Sequence, residues 1–477
     1  MNGNKPQGQP GNVAPCDLLV RHIDWLITVD DKRRVIRDAA VAVKDGLFVA
    51  VGKTADLERA WRPAKVVDAR GAVVTPGFID NHLHASFQLS RGLADEANAQ
   101  QFLFDHMYPY EAANTREDVA VSSAFAALEL LRHGVTCFTD PGNYHPDATI
   151  SSVLSTGMRL VAACSCFDKT KSVMGLLPAS MIESTGACLE KTEALFERYL
   201  GKHQGRLTLS ASFRGMNNAT DELICGLKDI ANKHKVKLQT HACFSYQTHD
   251  ASVSATGMAE IERLEALGVL DENMLLVHSG WLEPQEVALL AKRKPTLVCS
   301  PSSSVHNGYG YIAAGRHPEL MALGVNVSLG SDHASSGVVD IVQEMRLAAC
   351  GYKEVRMNPR VMPPEHAVEM ATINGARGVG LADRIGSIEV GKEADFVVFD
   401  ATVPEWQPLY NPVSNLVYSA TGNTVQHVYI AGEQVLKDGR LTKVDHDQLM
   451  REVVTAGERI AGRLDMKKIV KLTWPVE

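Results

Sequence analysis

Along the first 75 positions, apolar and polar residues fall into short runs with the two-residue period of half-buried strands. Segments 17–28, 39–43 and 48–51 are apolar runs broken by Asp30-Asp31 and by Asp45-Gly46, the latter a hairpin signal, and Val66-Val67 and Val73-Val74 add two more. From Pro76 the texture changes to short apolar runs separated by longer stretches of helical character. The runs predict strands at 78–81, 134–139, 159–166, 206–212, 236–240, 274–277, 296–299 and 326–329, and eight such strand-helix units are what a (β/α)8 barrel requires. After Ile385 the pattern reverts: 386–399 and 425–437 read as strands, with a turn at Lys437-Asp438-Gly439. Leu449, Val453, Ala456, Ile460 and Leu464 then recur at helical spacing, which predicts a closing helix with one packed face. The expected architecture is α/β. It comprises a flexible tail over 1–15, a composite β-sandwich built from 16–75 and 385–445, a TIM barrel over 76–384, and a C-terminal helix and tail over 446–477.

Composition narrows the partners. A chain of 477 residues is longer than one core usually supports, which agrees with a large and a smaller domain. With 45% apolar and 22% charged residues the chain is neither disordered nor membrane-like, and a net charge of -8 leaves no basic footprint for nucleic acid. No apolar run approaches the roughly 18 residues of a membrane span, and the polar opening has no signal-peptide core. Nine cysteines are scattered without a Cys-x-x-Cys pair, so a reduced, cytoplasmic setting is expected. The expected partners are a small-molecule substrate and further copies of the chain in a homo-oligomer.

The candidate chemistry begins at His82 and His84. If the run from Phe78 is a strand, residues two apart point the same way, and both imidazoles lie on one face. Active sites of barrels sit at the carboxyl ends of the strands, and there the chain places further polar groups: His241 after the fifth run, His278 after the sixth and Asp332 after the eighth. Any one of these alone is more simply a hydrogen-bonded structural histidine or, for Asp332, a helix cap. All five at strand ends point to a metal site, which needs at least three protein ligands and an open position for water.

These residues stand in ordered motifs: Pro76-Gly-Phe-Ile-Asp-Asn-His-Leu-His84, Arg91-Gly-Leu-Ala-Asp95 followed by Tyr108-Pro109 and Glu111, His241, His278, Ser300-Pro301, Gly330-Ser-Asp332, Ala371-Thr-Ile-Asn-Gly-Ala376, and Gly386-Ser-Ile-Glu-Val-Gly-Lys-Glu-Ala-Asp395. Over nearly its whole length the chain thereby resembles the amidohydrolase superfamily, in particular its mononuclear deaminase and triazine-hydrolase (chlorohydrolase-like) branch. The resemblance implies a barrel flanked by a β-sandwich and one divalent metal held by His82, His84, His241 and Asp332. Zinc is the expected ion, with iron, cobalt and manganese compatible with the same ligands. It also implies that His278 contacts the water or substrate and that Asp332 moves the proton. Binuclear branches use a carboxylated lysine at the end of strand four, where this chain has Ser212-Phe-Arg-Gly-Met216.

One departure bears on the substrate. Deaminases of this branch place a glutamate three residues after the strand-five histidine, and here that position is Phe244. A phenyl ring cannot carry a proton, so hydrolysis of an exocyclic C–N bond in an amide, urea or carbamate is favoured. Deamination or dechlorination of a purine-, pyrimidine- or triazine-like ring is the alternative, and a non-catalytic scaffold of the same fold is a third reading. Ser304 stands where deaminases tend to have Asn and His333 where Gly is usual, which marks both, with Phe244, Arg214 and Trp281, as candidate substrate contacts. Phe87, Phe102, Phe104 and Tyr108 could roof an apolar pocket or simply pack their loop.

Overall fold

The computed structural model describes residues 13–169, 171–172, 174–466, 470 and 474–475. The expected tail lies outside the described residues up to position 12. Its last two residues, Ala14 and Pro15, are already strand and pair with Trp61 and Arg62.

The two ends of the chain build one nine-stranded sheet. From the N-terminal side come β1 (Ala14–Ile27), β2 (Val35–Lys44), β3 (Leu47–Lys53), β4 (Trp61–Asp68) and β5 (Ala72–Pro76). Antiparallel pairing of β5 with Phe396–Asp400, in the register Val74↔Val398, joins the C-terminal strands to them. Phe396 stacks on Tyr429 at 4.4 Å and tilts against Phe48 at 6.0 Å, so residues distant in sequence share one apolar core. The strand expected over 386–399 forms only at its end. Gly386 and Gly391 hold φ of 91° and 95°, and the Gly391 amide bonds the Phe48 carbonyl (2.8 Å), so this stretch folds back as a loop over β3.

All the strands that follow β5 in the middle of the chain, apart from one small ribbon, are parallel. Phe78–Asp80 (β6), Val135–Thr139 (β7) and Arg159–Ala162 (β8) lead into the antiparallel ribbon of β9 (Lys171–Ser172) and β10 (Gly175–Leu176). Then come β11 (Leu207–Leu209), β12 (Ala211–Gly215), β13 (Leu238–Ala242), β14 (Met274–His278), β15 (Thr296–Cys299) and β16 (Asn326–Leu329). Pairing runs β11-β8-β7-β6 in one sheet and β12-β13-β14-β15-β16 in the other. Every residue of β6, β7, β8, β14 and β15 is buried, as expected of parallel strands covered on both faces. The C-terminal strands of the first sheet are β17 (Phe396–Asp400), β18 (Val425–Ile430), β19 (Glu433–Lys437) and β20 (Arg440–Leu441).

Local chemistry sets the helix ends. Helix Arg116–Arg132 begins at Thr115, whose side chain accepts from the Asp118 amide while the Asp118 carboxylate accepts from the Thr115 amide. The closing helix, His446–Arg463, is capped by Asp445 and buries Leu449, Ala456 and Ile460. Arg459 and Arg463 both reach Asp118 at the start of helix Arg116–Arg132. Between the nine-stranded sheet and the parallel strands, Arg159 forms a buried bidentate pair with Asp395 at 2.6 and 2.8 Å.

Candidate active site

The site is assembled where β6 and β16 run out. The Asn81 amide bonds the Leu329 carbonyl (2.9 Å), the Asp332 amide bonds the His82 carbonyl (2.8 Å), and the His84 amide bonds the Asp332 carbonyl (2.8 Å). Buried Asp80 braces the turn by accepting from the His82 and Ser331 amides at 3.0 and 3.1 Å, and burial pushes its carboxyl up to about 7. Gly330 is required for the close approach: a Cβ there would lie 2.8 Å from the His82 Cβ and 3.0 Å from its amide nitrogen.

This backbone brings five side chains together. His82 Nε2 lies 3.2 Å and His84 Nε2 3.9 Å from Asp332 Oδ1, and the Nε2 atoms of His84 and His241 are 3.2 Å apart. His82, His84 and Asp332 form one group with donor atoms within 4.8 Å of one another, and His82, His241 and His278 form a second. Both ring nitrogens of His82, and Nδ1 of His84 and of His278, are buried without a hydrogen-bond partner. Buried polar atoms are rarely left so. Imidazoles and a carboxylate gathered this closely are a donor set that suits a divalent cation.

The surroundings prepare these groups for that task. His241 Nδ1 donates to the Arg214 carbonyl (2.6 Å), which leaves Nε2 with its lone pair toward His84. Ser303 donates to Asp332 Oδ2 (2.6 Å), leaving Oδ1 toward the histidines. Burial, with the Arg214 charge and neighbouring imidazoles, holds His84 and His241 well below the ordinary imidazole range. Burial likewise brings His278 down to about 3. Burial opposes ionisation of Asp332, but His333, His82 and His278 outweigh it and hold the carboxyl well below its usual range. The strand ends are strained: Cys243, His278, Ser279 and Asp332 sit at φ of 51°, 73°, 49° and 65°, conformations that cost about 1–3 kcal/mol each and concentrate at working sites. The His278 carbonyl is held by His317 Nε2 (2.7 Å), whose Nδ1 meets the Tyr352 hydroxyl at 2.6 Å.

These groups open onto a cavity of roughly 700 Å³ including its mouth. Phe87, Phe102, Phe104, Tyr108, Phe244 and Tyr309 make its walls largely aromatic, so the four aromatic residues of the first loop do face it. Arg214 and His333 line it as well. The Arg214 guanidinium is paired with Glu111 (2.7 Å), and the His333 ring stacks on Phe102 at 5.2 Å.

Two expected contacts lie elsewhere. Trp281 is outside the lining: its Nε1 donates to the Tyr309 carbonyl (2.8 Å), which props that wall from behind. Ser304 is buried in helix Pro301–Asn307 and does not line the cavity, whereas its neighbour Ser303 touches Asp332. A shift of one residue on a helix turns a side chain by about 100°. Glu260 was not singled out from sequence although it lines the cavity. It opens helix Glu260–Ala266 rather than following a strand, so the strand-end criterion passes over it.

Fold and site together define a metal-dependent hydrolase. The chain belongs to the amidohydrolase family, whose model ("Amidohydrolase family") matches residues 73–435, and it is a hydrolase of carbon–nitrogen bonds. It is 31% identical to the 5-methylthioadenosine/S-adenosylhomocysteine deaminase of Desulfovibrio desulfuricans over 93% of this chain and 97% of that one. It is 29% identical to the 5'-deoxyadenosine deaminase of Methanosarcina acetivorans over 94% and 99%. Among solved structures it superimposes on an adenosine deaminase from Xanthomonas campestris with bound zinc, with TM-score 0.88, 28% identity and coverage of 94% and 100%. At 21% identity, the atrazine chlorohydrolase of Arthrobacter aurescens shares the fold with TM-score 0.83 over 92% of this chain and 100% of that one. Among the described residues no helix is long and apolar enough to cross a membrane.

Proposed function

We propose that the chain is a zinc-dependent deaminase of amino-substituted purine nucleosides, with the ion held by His82, His84, His241 and Asp332. The observation that carries this reading is the meeting of those four side chains and His278 at one end of an aromatic-walled cavity. The names of the relatives supply the substrate class, and the zinc bound to the Xanthomonas campestris deaminase supports the metal. When bound, the ion lowers the pKa of a water ligand to roughly 7 and so supplies a nucleophile at neutral pH. The chain's own groups do the rest. Asp332 accepts the water's proton and delivers it to the departing nitrogen, while Ser303 keeps its second oxygen turned away. His278, neutral and fixed through His317, orients the water. The aromatic walls hold a flat ring, and the Arg214 guanidinium, braced by Glu111 behind it, offers donors to the polar part of the substrate.

Phe244 favours a second reading, hydrolysis of an exocyclic C–N bond in an amide, urea or carbamate, where a single acid-base group suffices. The architecture belongs to the same proposal. The parallel strands are read as one closed (β/α)8 barrel over 76–384, because Ser210 alone separates β11 from β12 and the Asn81, Asp332 and His84 amides span the opposite seam. The segments 16–75 and 385–445, whose strands form the single nine-stranded sheet, are read as the composite sandwich domain, followed by the helix and tail over 446–477. A cytoplasmic setting, with which nine free cysteines agree, and a homo-oligomer complete the proposal.

The test is ammonia release by the zinc-loaded protein from adenosine, 5'-deoxyadenosine and 5'-methylthioadenosine, beside amine release from anilides, phenylureas and carbamates. Ammonia from the nucleosides, lowered about 100-fold or more in Asp332→Asn, is the expected result. Amine release alone selects the second reading, and no turnover on the whole panel overturns both.

A further inference from the structure

Exchange of a ring amino group for oxygen needs two acids. Asp332 carries the water's proton to the leaving amine, but the ring nitrogen beside the attacked carbon must also be protonated before that carbon becomes a good electrophile. Phe244 occupies the position after β13 from which a side chain could do so. Its ring packs 5.7 Å from His278 and 5.4 Å from Tyr309.

Among the residues lining the cavity only two are carboxylic acids, Asp332 and Glu260. The Glu260 side chain turns from the start of its helix toward the loop after β13, where Oε2 accepts the amide N–H of Cys243, the residue next to Phe244. Oε1 faces Asn217 Nδ2 at 3.5 Å, and that amide also reaches the Thr248 carbonyl at 3.2 Å. Asn217 and Thr248 line the same cavity. The Cys243 carbonyl in turn accepts from the Gly280 and Trp281 amides, both at 3.0 Å, so the loop holding Glu260 is tied to the end of β14, which carries His278.

We propose that Glu260 is the catalytic acid that protonates the substrate nitrogen, supplying from its own helix the proton that position 244 cannot. This rests on the deaminase reading above. The carboxyl is suited to the role: burial, reinforced by nearby Glu286, raises it to about 7, so it gives up and regains a proton near neutral pH. The protons balance. Glu260 gives its proton to the ring nitrogen as water's oxygen bonds to carbon, and Asp332 takes one water proton. Asp332 then protonates the amino group, ammonia leaves with the C–N bonding pair, and the remaining hydroxyl proton returns to Glu260 as C=O forms.

Glu260→Gln tests this, because its amide oxygen can still accept the Cys243 N–H while the transferable proton is gone. It is compared with wild type and Phe244→Glu/Glu260→Gln, all full-length and zinc-loaded, on whichever substrate the panel yields. Expected are unchanged zinc content, KM within a few-fold, kcat lowered about 100-fold or more, and loss of the alkaline limb of the kcat–pH profile. The double variant should regain about 10-fold. A purely structural anchor would leave the pH profile alone, so near-wild-type kcat with an intact alkaline limb overturns the proposal. Should the Gln variant not fold, Glu260→Asp decides: a lowered kcat with the limb retained supports the assignment, and an unchanged kcat overturns it. If wild type cleaves ureas instead of nucleosides, the deaminase reading fails and takes this assignment with it, whereas nucleoside turnover that Glu260→Gln leaves unchanged overturns the assignment alone. No turnover by wild type removes both.

Discussion

Loss of Glu111 should cost this protein far more than a surface carboxylate would. Glu111 and Arg214 form an ion pair at 2.7 Å with side-chain exposures of only 2% and 6%. The guanidinium's remaining partners are weak: the Gly142 carbonyl at 3.3 Å, the Ser165 hydroxyl at 3.4 Å, and the faces of Phe87 and Phe167 at 5.4 and 5.6 Å. None of them carries a negative charge. Glu111→Ala would therefore strand a cation among aromatic rings, and breaking one side of a buried pair costs about 3–5 kcal/mol. Replacing both partners by apolar residues of similar size, Glu111→Leu with Arg214→Met, should recover most of that loss, because desolvation of the pair nearly cancels its attraction. Zinc content of the double variant should stay at the wild-type level, since His241 bonds the main-chain carbonyl of residue 214 and not its side chain. Urea midpoints of the two variants and wild type at pH 7, with metal analysis of each, are the measurements. A cost below about 1 kcal/mol for Glu111→Ala, or a double variant as unstable as the single one, would refute the reasoning.

Two further predictions come from the frame of the site. Burial holds His317 at about 4, below the roughly 6.5 of an unfolded histidine. Its contribution is therefore complete above pH 6.5 and shrinks as the pH falls toward 4, by on the order of 1 kcal/mol per pH unit. The difference in unfolding free energy between wild type and His317→Gln should narrow accordingly, and a difference that stays flat from pH 7 to 4.5 would count against a buried neutral imidazole. Gly330→Ala should push His82 out of line, since the added Cβ falls 2.8 Å from the His82 Cβ. A folded variant, by circular dichroism, with zinc affinity lowered at least about 10-fold is the expected result, and full zinc occupancy would show that the turn yields.

Sequence alone placed the candidate ligands near the strand ends and set the order of elements. His278 ends β14 and His241 stands next to the end of β13, while His82, His84 and Asp332 lie two to four residues beyond β6 and β16, and a parallel strand delivers what stands at its end to the carboxyl edge. The runs are legible because strands covered on both faces are apolar throughout. Only the tertiary structure decided the pairing of β5 with β17, which joins positions more than three hundred residues apart on apolar patterns that many other strands share. It also decided that 386–395 is loop, since Gly391 is held by a carbonyl of β3. The same holds within the cavity. Ser303 rather than Ser304 faces Asp332 by the phase of a short helix, Trp281 backs the wall by bonding the Tyr309 carbonyl, and Glu260 reaches the space beside Phe244 from a helix sixteen positions later. Local pattern specifies what a segment is, because hydrophobic period and capping act over a few residues. Which side chains meet depends on packing between segments, where the decisive contacts are set by three-dimensional closure.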